Sequence, residues 1–272
     1  MVYSGFWNGA LIVGGGVLAA MVLVALVKRL FTAEQLRDGH DVTGNLLAIV
    51  GTLYAVLLGL IVVDAMARFE RAMDNVQEES NCLADIYMLA DRLPEPQRGR
   101  IHDTCRRYAR VVVEQEWDLM TRAQPSPDAR RVAYTLTRSL DDFEPVSESH
   151  KSVYPMILEQ VRELWDARRE RINTAEYGIP VVEWASLLLG ATVIIVFAGL
   201  FNAESERLRW FVTSMTALVI GLNLYLVALF GYPFAGELSV SDRPFAVDLA
   251  IFENRFEEPP DRGAGRRPSP TP

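Results

Sequence analysis

Four long runs without a charged side chain constrain this chain more than any other feature. Ala10 to Val27, Leu46 to Val63, Ala185 to Phe201 and Trp210 to Phe234 contain no Asp, Glu, Lys or Arg. A helix rises about 1.5 Å per residue, so each run is close to the roughly 20 residues that cross about 30 Å of hydrocarbon. Buried helices of soluble proteins can be equally apolar, but four of them in 272 residues would leave too little polar surface to cover them. The expectation is an all-α membrane protein with four transmembrane helices in two pairs. The spans fall at about 8–28, 45–63, 181–201 and 210–231, as the hydrocarbon thickness requires. No Lys or Arg precedes the first run, and Lys28 and Arg29 follow it, so it reads as a retained anchor rather than a cleaved signal.

Between the pairs lies a charged helical insert, 64–178. Asp64 to Asp91 has no Pro or Gly and places Val76, Leu83, Ile86 and Leu89 at helical spacing, so the second span should continue out of the bilayer as one helix. Leu93, Pro94, Glu95 and Pro96 end it, since proline lacks the donor and crowds the preceding turn. Further helices are expected over 97–120, with Ile101, Tyr108, Val111, Val112 and Trp117 as the apolar stripe, and over 130–143 and 153–175. The breaks between them are Gln124 to Asp128, Pro145 to Ser149 and Tyr177 to Pro180. Thr32 or Thr43 could cap a short interfacial helix or the start of the second span. A polar turn, Asn202 to Arg209, makes the last two spans a hairpin; 237–256 is a post-membrane segment, and the Pro-, Gly- and Arg-rich tail 257–272 is expected to be disordered.

Charge and composition exclude several functions. The net charge of −8 argues against a nucleic-acid surface. Cys82 and Cys105 form no CxxC pair, and His40, His102 and His150 are dispersed. His102 and Cys105 share a helix face, but two ligands do not make a structural zinc site; both read as helix-surface residues, and neither a metal nor a cofactor is expected. Glu78, Glu79, Arg106, Arg107, Glu163, Arg168 and Arg169 fall at spacings of solvated helix-surface pairs, while Tyr108, Trp117 and Trp165 read as core. No nucleophile, base and orienting group converge in the pattern, and no phosphate loop occurs, so the chain does not read as an enzyme.

The second span carries the most information. Gly51, Ala55 and Gly59 repeat every four residues, a small-residue face that lets another helix approach closely. One residue on, Thr52, Val56, Leu60 and Asp64 form a neighbouring stripe. Several copies around an axis would turn that stripe into a narrow, mostly apolar constriction ending in carboxylates, a form that gates by dewetting and gathers cations. Packing of one helix among four accounts for the same spacing.

Two short motifs bring in a resemblance. Leu57 to Ala72, with Arg68 and Phe69 in it, is similar to the second-helix signature of the bestrophins. Tyr232, Pro233, Phe234, Ala235 and Gly236 resemble the Asn-Pro-Phe-Gly turn that follows the fourth bestrophin span. The order of two spans, a helical insert, two spans and this turn also fits, and the chain looks closest to the bestrophin-like integral membrane proteins of bacteria. The resemblance implies a homo-oligomeric, pentameric ion channel that passes small inorganic ions. Its second helix lines the pore, its neck falls at Thr52, Val56 and Leu60, and its insert packs as a cytosolic bundle. It also implies a multi-pass protein among the lipids of the bacterial inner membrane, with both termini and the insert in the cytoplasm and free thiols at Cys82 and Cys105. Positive-inside counting leans slightly the other way, toward an external amino terminus. Thr52 and Val56 are smaller than the neck residues of bestrophins. Glu237, Asp242 and Asp248 are too scattered for the acidic run that helps eukaryotic members bind calcium. The alternative is a non-conducting scaffold or sensor whose insert binds a partner.

Overall fold

The computed structural model describes residues 2–29, 40–141, 143–200, 206–236 and 238–254. Thr32, Asn202 to Ser205 of the expected hairpin turn, Glu237 and the tail 257–272 lie outside the described residues. Every regular element described is helical. In chain order these are α1 (Val2–Lys28), α2 (His40–Ala90), α3 (Gln97–Val111), a π-helical segment (Val112–Glu116), α4 (Trp117–Met120), α5 (Pro127–Asp141), α6 (Glu148–Glu176), α7 (Val181–Leu200), α8 (Glu206–Gly231) and α9 (Arg243–Asn254). Four stretches are long and apolar enough to cross a membrane, and they lie in α1, α2, α7 and α8. The protein is therefore an all-α membrane protein with two pairs of spanning helices and a helical insert between them.

Helix boundaries follow local chemistry. α2 runs unbroken for 51 residues, as expected where no Pro or Gly interrupts the second half. It has already begun at His40, so Thr43 is not its cap. α5 starts at Pro127 rather than at 130, because the Ser126 hydroxyl accepts the amide of Ala129 at 3.2 Å and proline suits the first helical position. Ser147 does the same for α6, accepting from the amide of His150 at 3.1 Å, which begins that helix five residues before Val153. Pro155 then lies inside α6. The expected helix 97–120 is present but contains a π turn, which shifts the register of everything after Val111. Within the segment after the fourth span, α9 occupies Arg243–Asn254.

Two compact units divide these elements, one comprising Met1–Met73, Met120–Ala123 and Ile172–Val240, the other Asp74–Leu119, Gln124–Arg171 and Ser241–Pro272. In the membrane unit α1 packs on α7 and α8, and α7 packs on α8. The core gathers Tyr54, Leu58 and Ile61 of α2 with Leu187, Ala191 and Ile194 of α7 and Ile220 and Val227 of α8. Helices approach most closely where one of them carries glycine. A Cβ at Gly190 would lie 2.4 Å from the Tyr54 ring, and one at Gly199 would lie 2.3 Å from Val24. Association in lipid rests on such close packing, because burying apolar surface gains little there.

The extramembrane unit is built on heptad stripes. Val76, Glu79, Leu83, Ile86 and Ala90 of α2 alternate steps of three and four and are buried. So are Ile101, Cys105, Tyr108 and Val112 of α3 and its π turn; Ala129, Ala133, Leu136 and Leu140 of α5; and Ile157, Val161, Leu164, Arg168 and Arg171 of α6. This is the spacing of left-handed helix packing. α3 contacts α5 and α9, and α9 contributes Phe245 and Phe252 to the core.

Candidate functional site

Within the membrane unit, α2 has a buried side and an open side. Tyr54, Leu58, Ile61 and Ala65 are turned inward. Thr52, Val56 and Leu60 are exposed, Val56 and Leu60 to 59% and 66%, which is far more than a core position of a single chain would show. The Thr52 hydroxyl is satisfied by its own helix, donating to the Ala48 carbonyl at 2.8 Å. The Gly51, Ala55 and Gly59 face is open too, and a Cβ at Gly51 or Gly59 would meet no atom within 4 Å. Close helix approach is thus carried by glycines such as Gly9, Gly190 and Gly199, while the small-residue face of α2 meets no other helix among the described residues.

Asp64, at the end of the stripe, is half-buried and paired. Arg68 Nε donates to its carboxylate at 2.6 Å, and an Arg71 nitrogen lies 3.9 Å away. The aspartate therefore does not stand as a lone negative charge. Phe69, the other half of that motif, meets Phe230 of α8 edge-on, with ring centroids 5.7 Å apart. Two residues later begins the turn at Tyr232 to Gly236, so the structure links the two motifs through Phe230. The turn is closed by the Ala235 amide donating to the Tyr232 carbonyl at 3.1 Å and the Val240 amide donating to the Pro233 carbonyl at 2.8 Å. Gly236 has φ +98°, a backbone state open to glycine and strained for side chains. Phe234 is buried, and the Tyr232 hydroxyl accepts from Trp184 Nε1 at 3.2 Å.

The extramembrane unit holds a second concentration of chemistry, and sequence reasoning missed it. Glu79, Arg168 and Arg171, which the heptad stripes place inward, form a closed network with Glu116 and Tyr108. Arg171 donates to both Glu79 oxygens at 2.6 and 2.9 Å and to Glu116 at 2.9 Å. Arg168 grips Glu116 with two bonds of 2.6 Å and donates to the Tyr108 hydroxyl at 3.1 Å. Tyr108 in turn donates to Glu79 at 2.5 Å, and the amide of Ser126 donates to Glu116 at 3.1 Å. The π turn ends on Glu116 and sets it in this register. The rings of Trp117 and Phe245 lie 5.5 and 5.8 Å from the Arg171 guanidinium.

Two carboxylates and two guanidiniums cancel in formal charge, and none is more than 4% exposed. Burial alone would push the Glu116 carboxyl up; Arg171 and Arg168 overcome that and hold it down to about 2. Burial and the Glu79 carboxylate push the Tyr108 hydroxyl far up, so it stays a donor. Glu79 and Arg168 are thus core groups, not the solvated surface pairs their spacing suggested. Arg107 and Arg169 do lie toward solvent, and Arg106 is half-buried. His102 and Cys105 are likewise buried rather than on the surface: His102 stacks on Tyr87 with centroids 3.9 Å apart, and Tyr87 stacks on Phe252. Both cysteines are free and buried. Asp248 accepts from Ser80 at 2.5 Å inside the unit.

The legible signal for the network was the register itself, since Glu79 stands between Val76 and Leu83, and Arg168 and Arg171 continue the stripe of Val161 and Leu164.

Comparison with known proteins agrees with this architecture. A mutant of a bacterial bestrophin homolog from Klebsiella pneumoniae superposes with TM-score 0.66 at 12% identity, over 92% of this chain and 100% of the other. A structure described only as a membrane protein gives the same TM-score and identity over 92% and 99%. A second Klebsiella mutant gives 0.62 at 13%, over 91% and 97%. At such identities the likeness establishes the fold. No curated protein sequence matches. The family model described as the bestrophin-like domain matches residues 14–245, and the chain belongs to the bestrophin-like family.

Proposed function

We propose that this protein is an oligomeric ion channel, pentameric as in the bestrophins it resembles, with α2 arranged around the central axis. Thr52, Val56 and Leu60 line the constriction, and the Gly51, Ala55 and Gly59 face packs against the α2 of a neighbouring copy. The observation that carries this reading is the double exposure of α2. Over the same turns that bury Tyr54 and Leu58, the stripe is exposed and the small-residue face has open space around Gly51 and Gly59 among the described residues. An apolar ring of this kind gates by dewetting, and small ions pass when it widens or wets. Asp64, with Arg68 and Arg71 beside it, ends the constriction as a mixed charge, so ion sign depends on that balance rather than on a bare acidic ring.

The proposed setting is the bacterial inner membrane, with lipid around α1, α7 and α8, both termini and the insert in the cytoplasm, and no chemical step. Purified protein in planar bilayers should conduct, and Val56→Phe or Leu60→Phe should reduce unitary conductance several-fold. Silence in reconstitutions whose light-scattering mass is monomeric would sink the proposal. Orientation is read with an added cysteine, because Cys82 and Cys105 are buried: Ser149→Cys is exposed and should resist an impermeant maleimide outside intact cells. Labelling there would reverse the assignment.

A further inference from the structure

The extramembrane unit brings together three potential ligands that the buried network does not use. Glu78 and Cys82 lie one turn apart on α2, and Glu163 of α6 faces them; one carboxylate oxygen from each acid and the Cys82 sulfur all lie within 4.8 Å of one another. We propose that Glu78, Cys82 and Glu163 bind a divalent transition ion of the zinc type, with solvent in the fourth position. Zinc bonds of about 2.3 Å to sulfur and about 2.0–2.2 Å to oxygen set tetrahedral donors roughly 3.5 Å apart, so the trio has to draw in by about 1 Å.

Three further observations favour a ligand site over a chance cluster. The Cys82 side chain is only 2% exposed and its thiol has no hydrogen-bond partner among the described residues, although it is turned toward two carboxylates. Glu163 is oriented from behind, since Gln160 Nε2 donates to its Oε2 at 2.9 Å; such supporting bonds are typical of ligating carboxylates. Arg162 lies 4.0 Å from Glu163 and is engaged at 2.5 Å by Glu159. Gln160 also lines a groove of about 550 Å³, with Asp85, Met88, Met156 and Glu159 on its walls.

Sulfur in the donor set selects against calcium and magnesium, which take oxygen ligands. An exposed Glu78 and an open fourth position make the site exchangeable, unlike a closed structural centre.

The full-length protein, stripped with chelator in detergent, is titrated with Co²⁺ and then with Zn²⁺ against a chromophoric chelator. Wild type should bind one ion per chain, with the near-ultraviolet sulfur-to-cobalt band and visible bands of tetrahedral cobalt. Cys82→Ser should abolish the sulfur band, and Glu163→Gln and the exposed Glu78→Gln should each weaken zinc binding tenfold or more. Gln160→Ala should cost about 10-fold, and Cys105→Ser should change nothing. A wild-type titration without the sulfur band, a band that survives Cys82→Ser, or unchanged zinc affinity in the well-folded Glu78→Gln protein would each overturn the proposal.

Discussion

The two units of this molecule solve packing in opposite ways. In the membrane unit, side chains interlock by shape: Tyr54 seats on Gly190 and Val24 on Gly199, with distances that leave no room for a single added carbon. In the extramembrane unit, the centre of a heptad-packed bundle holds two carboxylates, two guanidiniums and a tyrosine. In lipid a helix gains little from hiding apolar surface, so close fit decides. In water the apolar stripes supply the drive, and the polar core confers register, because each buried charge is tolerated only beside its partner.

That contrast breaks most readily at the network. Arg171→Met would leave the Glu79 carboxylate buried without its bidentate partner and remove one bond from Glu116. Stranding a buried charge in this way typically costs about 3–5 kcal/mol. Denaturant unfolding followed by the fluorescence of Trp117, beside Arg171, should show that loss, and replacing Glu79, Glu116, Arg168 and Arg171 together with apolar residues should recover much of it. A single variant that loses less than about 1 kcal/mol would mean that the four groups do not act as a buried unit.

Acid tests the same network with no mutation. Glu116 has its folded pKa depressed to about 2 from 4.5, so its contribution is fully present above the unfolded value. It is lost as pH falls through the folded value. At about 1.4 kcal/mol per unit this amounts to roughly 3 kcal/mol. Stability of the extramembrane unit should decline as pH falls from about 4.5 to about 2, and Glu116→Gln should flatten the slope over that window. An unchanged slope in the variant would assign the acid sensitivity to other carboxylates.

The spans were legible because hydrocarbon imposes one rule along a whole helix: Ala10 to Val27 or Leu46 to Val63 can hardly be read otherwise. The unbroken course of α2 and the breaks at Pro94 and Pro180 were legible for a similar reason, since proline acts locally. The network was harder to read. A charged residue every three or four positions describes a solvated helix face as well as a buried one, and only the apolar neighbours of Glu79 and Arg168 separate the two. The π turn before Trp117 has no local signature of its own, and it alters the register that brings Glu116 inward. The glycines of α7 escaped for the opposite reason: Gly190 and Gly199 make no motif, and their use depends on Tyr54 and Val24, far away in sequence.

Gly190→Ala sharpens the membrane side of the comparison. The added carbon collides with the Tyr54 ring, and overpacking of a fitted core costs typically about 1–3 kcal/mol. The gain in helix propensity, up to about 1 kcal/mol, offsets only part of this. Thermal stability in detergent should fall, and Tyr54→Leu should relieve the collision in the double variant. Gly59→Ala has open space around it and should leave the stability of one chain unchanged or slightly raised. If the wild type proves oligomeric and that variant disperses it, the small-residue face is an interface between copies.

The smallest energetic effect is expected at Asp64, where it is also the most informative about function. Asp64 and Arg68 are one turn apart and partly solvated, so breaking their pair should cost at most about 1 kcal/mol of stability. Its electrical consequence is larger than its structural one. Asp64→Asn removes the negative partner of Arg68 and leaves Arg71 without its more distant acid, adding one unit of positive charge per copy at the end of the Thr52, Val56 and Leu60 stripe. In an oligomer these charges sum around one axis, in a narrow low-dielectric passage that focuses the field. Reversal potentials in a salt gradient should therefore move toward the anion equilibrium value, and Arg68→Gln should move them toward the cation value, while Glu70, exposed on a neighbouring face, should tolerate Gln with little change. Equal reversal potentials in the Asp64 and Arg68 variants would remove this end of α2 from the ion path.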